Sequence, residues 1–175
     1  MKLKCTSQEI DRIPTNTMVL TFFQDERPLK GATGLTDWRM CGRLSRLIME
    51  KWIDGHFGEP LLMPSNHRLQ SELVLMVGLG PRAEYDLSRF KQVIEKIFDA
   101  LKGLHAYNFT LSLPGIALTG LDAVDAAEMM GKVIQSRFGT NKEIINALEV
   151  TVVAPGPDLK RINPIFARLE RSIVG

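Results

Sequence analysis

Thr17-Met-Val-Leu-Thr-Phe-Phe23 runs directly into Gln24-Asp-Glu-Arg-Pro-Leu-Lys-Gly-Ala-Thr-Gly34, and this junction decides the fold class. The first segment is a nearly continuous apolar run. A strand with one wet face alternates apolar and polar residues, whereas an unbroken run suits a strand covered on both faces. The second segment is polar and interrupted by Pro28, Gly31 and Gly34, so the strand ends in a loop.

Working outward, Trp38, Cys41, Leu44, Ile48 and Trp52 recur at three- and four-residue steps, which predicts one helix with an apolar stripe. Arg39, Arg43 and Arg46 form a row on another face of it. Asp54-Gly-His-Phe-Gly58 ends it. Pro60-Leu-Leu-Met-Pro64 and Glu72-Leu-Val-Leu-Met-Val77 read as a hairpin around Ser65-Asn66-His67. From Asp86 to about Gly103, Leu87, Phe90, Val93, Ile94, Ile97 and Leu101 mark a helix with Asp86 as its N-cap and Tyr85 packed on Phe90. Phe109 to Leu113 is the next strand, stopped by Pro114-Gly115. Thr119 and Asp122 suggest a capping box before a helix that Gly139 stops. Asn141 to Ala147 is one short helical turn, and Leu148 to Val153 is a β-branched strand.

The tail from Asp158 to Val174 has helical spacing through Leu159, Ile162, Ile165, Phe166, Leu169 and Ile173. Pro164 either kinks that helix or starts a second one behind Asn163. Alternation of strands and helices predicts an α/β fold: a three-layer α/β/α arrangement on a mixed, mostly parallel sheet, in a single domain over residues 1–175.

The chain has 175 residues, 45% of them hydrophobic and 24% charged, with 22 Lys and Arg against 20 Asp and Glu. These values exclude disorder, collagen and coiled coil. A net charge of +2 does not support a nucleic-acid tail. Such a chain buries about two thirds of its unfolded surface, enough for a core without covalent staples. No apolar stretch approaches the roughly 18 residues of a membrane span. MKLKCTSQEIDRIP lacks the apolar run of a signal peptide. The expectation is a cytoplasmic protein without a membrane. Cys5 and Cys41 are too few for a disulfide framework and are read as small buried hydrophobes.

Chemistry-bearing motifs are sparse. His56, His67 and His105 are far apart and show no ligand spacing, so no metal or cofactor is expected. GxSxG does not occur. Asp25 and Glu26 are adjacent carboxylates at a strand end, where neighbours point to opposite sides, and they read as a solvated rim. Gly78-Leu-Gly80 follows a buried strand and could turn amides toward a phosphate. Pro81 removes one of those amides and Asp86 sets a carboxylate at the following helix, so a tight turn is the plainer reading. The arginine row has no interleaved aromatics of the kind single strands prefer.

Asp37, Gly42, Leu44 and Ser45 make an Asp-x-x-x-x-Gly-x-Leu-Ser pattern behind the acidic-to-glycine loop. Phe57-Gly58-Glu59, Leu61-Leu62 and Gly78-Leu-Gly80 follow in order. From about residue 17 to 105 this resembles the N-terminal domain of the leucyl aminopeptidase (cytosol aminopeptidase) family. The resemblance implies a fold similar to macro domains and a contribution to hexamer assembly. It also implies that chemistry belongs to a second domain, with two metal ions and an Asn-Thr-Asp-Ala-Glu-Gly-Arg type motif. These 175 residues contain nothing like that motif, so the expected role is non-catalytic: assembly or regulation as a homo-oligomer or with a separate aminopeptidase-type chain. Arg39, Arg43 and Arg46 are the candidate partner contacts. The alternative is a small-ligand module for ADP-ribose or a related nucleotide at the strand carboxyl ends. Its candidate residues are Asp25, Arg27, Lys30, Gly31, Gly34, Gly78 and Gly80.

Overall fold

A computed structural model describes residues 1–174, and side-chain environments as far as Ser172. Ile173, assigned above to the tail stripe, has its side chain outside the described residues. In chain order the elements are β1 Lys2–Thr6, β2 Thr15–Phe22, α1 Gly31–Arg39, α2 Arg43–Met49, β3 Pro60–Pro64, β4 Ser71–Gly78, α3 Leu87–Gly103, β5 Asn108–Ser112, α4 Ala123–Phe138, α5 Lys142–Ala147, β6 Glu149–Val153 and α6 Gly156–Val174. The strands form one sheet in the order β1-β6-β5-β2-β4-β3. Every pairing is parallel except β3 with β4, which is antiparallel. The architecture is the mixed three-layer α/β/α fold.

β2 is buried on both faces, as its apolar run requires. Met18, Leu20 and Phe22 point into the core under α1 and α2, together with Leu44, Ile48 and Met76. Val19 and Phe23 point the other way, into the core under α3, α4 and α6. There Phe98 stacks at a tilt on Phe109 and Phe138, with centroids 5.8 and 5.5 Å apart. Asp86 caps α3 by accepting from the Arg89 amide at 2.8 Å. Tyr85 sets its ring edge-on to Phe23 at 5.1 Å and donates to the Pro114 carbonyl at 3.0 Å. It therefore ties the start of α3 to the end of β5.

Four expectations are corrected. β1 was not foreseen; it pairs in parallel with β6 from Lys2↔Glu149 to Thr6↔Val153. The helix expected through Trp38 and Trp52 is two helices, because Cys41 and Gly42 take φ of 56° and 75° between them. Trp38, Cys41 and Trp52 are exposed, so they are no part of an inward stripe. Asp122, not Thr119, caps α4, accepting from the Val124 and Asp125 amides at 2.8 and 3.3 Å. Thr119 donates instead to the Gly115 carbonyl at 3.0 Å.

The tail is one helix carrying Pro164 within it on an exposed position. It lies on α4 and β1. Arg161 meets Asp122 at 2.6 Å and Arg168 meets Glu128 at 3.1 Å. A Cβ at Gly131 would stand 2.3 Å from a Leu169 methyl, so the Leu169 side chain packs directly onto the glycine and would have to turn aside for a larger residue.

Candidate functional site

In an open α/β sheet, ligands sit beyond the carboxyl ends of the strands, so that rim is where the candidate residues are tested. The loop from β2 to α1 is organised by Glu26, which is 92% buried by its 8% exposure. Its carboxylate accepts from the Phe23 amide at 3.1 Å and the Lys30 amide at 2.8 Å. Glu26 is thus an internal brace of the loop, not the solvated rim expected. Arg27 donates to the Glu26 carbonyl at 2.6 Å and lies over the Phe22 ring at 5.6 Å. Asp25 accepts from the Arg82 amide at 3.0 Å. The two adjacent carboxylates face different partners and form no acid–base pair.

Asp25, Arg27 and Lys30 come together with Arg82 around a polar recess of about 160 Å³. A cavity of about 80 Å³ shares Glu26 and Lys30 with that recess. The same cavity shares Gly31 and Ala32 with a larger crevice of about 370 Å³, walled by Ile10, Leu35, Leu113, Ile116 and Ile162. Glu9 and Asp158 lie on the crevice wall, and among the described residues no Lys or Arg does. Asp158 stands in the first turn of α6, where it already supplies the negative charge that a helix start favours. Glu9 pairs with Arg12 at 2.8 Å, and Asp158 with Arg161 at 3.7 Å. The crevice is apolar with neutralised acids, and the cations sit apart from it in the recess.

The remaining predicted glycines serve the framework. The amides of Gly78, Leu79 and Gly80 donate to the carbonyls of Glu59, Phe22 and Gly55, at 2.9 Å each. None of these amides is left for a phosphate. A Cβ at Gly78 would lie 2.2 Å from the His56 carbonyl oxygen, and one at Gly34 would lie 2.4 Å from the Leu29 carbonyl oxygen. The neighbouring loop is fixed by one oxygen of Glu59, which accepts from the Asp54, Gly55 and His56 amides at 3.0, 2.9 and 3.1 Å.

The arginine row does not exist as one face. Arg39 ends α1 and binds the buried Asp11 carboxylate at 2.9 Å, while Arg43 and Arg46 belong to α2. Cys5 is half-buried, and burial pushes its thiol up to about 11; Cys41 is exposed, against expectation. Among the described residues no group of three or more His, Cys, Asp and Glu could hold a metal ion. Among the described residues no helix is long and apolar enough to cross a membrane.

The Asp37 pattern is explained by local geometry. Asp37 reaches past the break to accept from the amides of Leu44 and Ser45 at 2.8 and 3.1 Å and from the Ser45 hydroxyl at 2.5 Å. Gly42 supplies the left-handed turn and Leu44 the fully buried anchor. The motif builds a helix start.

With the geometry in place, the chain can be set beside known proteins. Residues 19–137 match the model for the cytosol aminopeptidase family, N-terminal domain. A probable cytosol aminopeptidase of Pseudomonas syringae pv. tomato is 26% identical over 155 residues, covering 85% of this chain and 31% of its own length. The cytosol aminopeptidase of Pseudomonas aeruginosa is 26% identical over 165 residues, covering 90% and 33%. The chain therefore spans about a third of the length of these relatives. Among solved structures, the Oceanobacillus iheyensis macrodomain with ADP superposes with a TM-score of 0.75 at 14% identity, covering 97% of this chain and 92% of that one. The Trypanosoma brucei macrodomain in complex with ADP-ribose gives 0.72 at 14% identity, covering 93% and 68%. At that identity the likeness is one of fold.

Proposed function

Because this chain belongs to the N-terminal domain family of the cytosol aminopeptidases, we propose that it acts as a non-catalytic association domain, docking through the outer surface of α1 and α2. The observation that carries this reading is where the chain leaves large apolar side chains in water. The three most exposed large apolar side chains among the described residues, Trp38, Met49 and Trp52 at 69%, 73% and 66%, all belong to the segment from α1 to just past α2; Leu62 and Leu104, at 41% and 42%, lie elsewhere. Tryptophan together with arginine is the composition of interface hot spots. Arg43 and Arg46 share α2 with Met49 and remain the candidate partner contacts, whereas Arg39 is committed to Asp11.

The test is sedimentation velocity over a concentration series, with the chain alone and mixed with the cytosol aminopeptidase of Pseudomonas aeruginosa. The expected result is a complex larger than one chain in at least one setting, lost in the Trp38→Ser/Trp52→Ser variant. A monomer in both settings, or a complex indifferent to that variant, would overturn the reading.

The second reading, a module for ADP-ribose or a related nucleotide, has the position of the 370 Å³ crevice in its favour. That volume is within the range of small-molecule sites. Its lining weighs against it, because the wall carries no Lys or Arg to hold a diphosphate, and its two acids, Glu9 and Asp158, are already paired with Arg12 and Arg161.

A further inference from the structure

We infer that the α1–α2 surface receives an acidic segment of a different protein chain, carrying an apolar anchor and held through side chains. This rests on the association reading above and names the partner's chemistry. On α2, Leu44 and Ile48 are buried, which by helical periodicity turns Arg43, Arg46 and Met49 outward. Arg68 approaches the same surface, with its guanidinium 3.1 Å from the Cys41 sulfur. Among the described residues, none of these three arginines has an ion-pair partner. The segment 31–52 offers only Asp37 and Glu50 as acids, and Asp37 is spent on the α2 amides. The segment that carries Trp38, Met49 and Trp52, with Arg68 against its Cys41, thus has a surplus of positive charge.

A second copy fits poorly. A two-fold dimer would bring this patch against itself and set Arg43, Arg46 and Arg68 near their own counterparts. Carboxylates on another chain satisfy the arginines, and an apolar side chain among them covers the tryptophans. The surface is also preorganised. The Arg39 guanidinium lies 4.9 Å from the Trp38 ring centre while its Nε is held by Asp11, so Trp38 loses little freedom on binding.

The chain has two tryptophans, Trp38 and Trp52, so intrinsic fluorescence reads this surface alone. The full chain is titrated with a synthetic peptide of alternating Glu and Leu, with the same peptide carrying Lys for Glu, and with oligothymidylate. The expected result is a saturable blue shift with the acidic peptide only. Affinity should fall at least about tenfold in Arg43→Glu/Arg46→Glu, whose positions have no structural partner to lose. No shift, an equal shift with the lysine peptide or oligothymidylate, or undiminished binding by the double variant would overturn the inference. A homo-oligomer dispersed by Trp38→Ser/Trp52→Ser, with no response to the acidic peptide, would keep the association reading and remove this one. Association untouched by the tryptophan variant would remove the association reading itself.

Discussion

Asp37 and Ser45 join two helices that the sequence presents as one. The Ser45 hydroxyl donates to the Asp37 carboxylate at 2.5 Å, and the Leu44 and Ser45 amides donate to its other oxygen. These are amides of the first turn of α2, which have no partner inside the helix, and Gly42 just ahead of them provides no side-chain cap. The negative charge also suits the helix start.

Asp37→Ala should therefore destabilise the chain by about 1–2 kcal/mol, the usual cost of a lost cap. For a chain of this size that lowers Tm by roughly 2–4 °C per kcal/mol. Ser45→Ala should cost less, because both amide bonds remain. Thermal denaturation of the two variants checks the order; a neutral Asp37→Ala would show that the break at Gly42 is held by packing of Leu44 alone.

How much of this could be read in advance follows from the range of each signal. α3 was legible because its period persists over 17 residues behind an N-cap acid. The break between α1 and α2 was not, because the apolar spacing runs straight through it and Cys41, at φ 56°, is not a residue that advertises a left-handed turn. β1 is five residues long and is a strand because of a partner 147 positions away, which no local pattern encodes. Missing β1 hid one wall of the crevice, which takes Ser7, Gln8, Glu9 and Ile10 from beyond its end and faces Asp158 and Ile162 of α6. The recess was easier, since Asp25, Arg27 and Lys30 share one loop.

The glycines offered as ligand contacts can be separated by substitution. A methyl group at Gly78 would overlap the His56 and Gly55 backbone, whereas at Gly31 it would meet nothing within 4 Å and only a φ of 55° opposes it. Gly78→Ala should cost about 3 kcal/mol or more through overpacking, and Gly31→Ala about 1–2 kcal/mol. Urea denaturation measures both. Equal, small losses would mean that the β4 end yields and that Gly78 is not the framework residue described.

Asp122 carries an acid-sensitive link between α4 and α6. The Arg161 guanidinium first, and the Val124 amide next, hold its carboxyl below its ordinary value of 3.8. A depressed carboxyl favours the folded state above its unfolded pKa and loses that contribution as pH falls through the folded one. The loss should begin below about pH 4. Asp122→Asn keeps the cap and removes the charge, so its stability should fall less than that of the parent chain between about pH 5 and about pH 2.5. Parallel acid profiles for the two would remove Asp122 as the source.

The crevice lining makes a prediction about nucleotides. With Glu9 and Asp158 on its wall, each already paired with an arginine, and Arg27, Lys30 and Arg82 around the neighbouring recess, the crevice wall itself offers the diphosphate of ADP-ribose no free cation. Calorimetry at millimolar ADP-ribose should show no binding heat. Saturable heat, abolished by closing the crevice with Ala117→Trp, would establish the nucleotide reading in spite of the charge pattern.

The outer edge of β3 is closed to strand addition, and the register shows how. The Ser65 amide donates to the Glu72 carbonyl and the Gly78 amide to the Glu59 carbonyl, each at 2.9 Å. In an antiparallel pair the hydrogen-bonded positions alternate, so Glu59, Leu61, Met63 and Ser65 bond to β4. Pro60, Leu62 and Pro64 then turn their main-chain groups outward. Proline has no N–H, which leaves Leu62 as the one donor on an edge of five residues. The same prolines cost the sheet no ladder bond, because their missing donors face solvent. Pro60→Thr/Pro64→Thr should therefore change folding stability by less than about 1 kcal/mol, yet restore a template for pairing between chains. Light scattering should detect concentration-dependent association beyond that of the parent chain, and it should persist when Trp38→Ser/Trp52→Ser is added, since edge pairing does not use the tryptophan surface. A double-threonine variant that scatters like its parent would show that the edge is protected by something other than its missing donors.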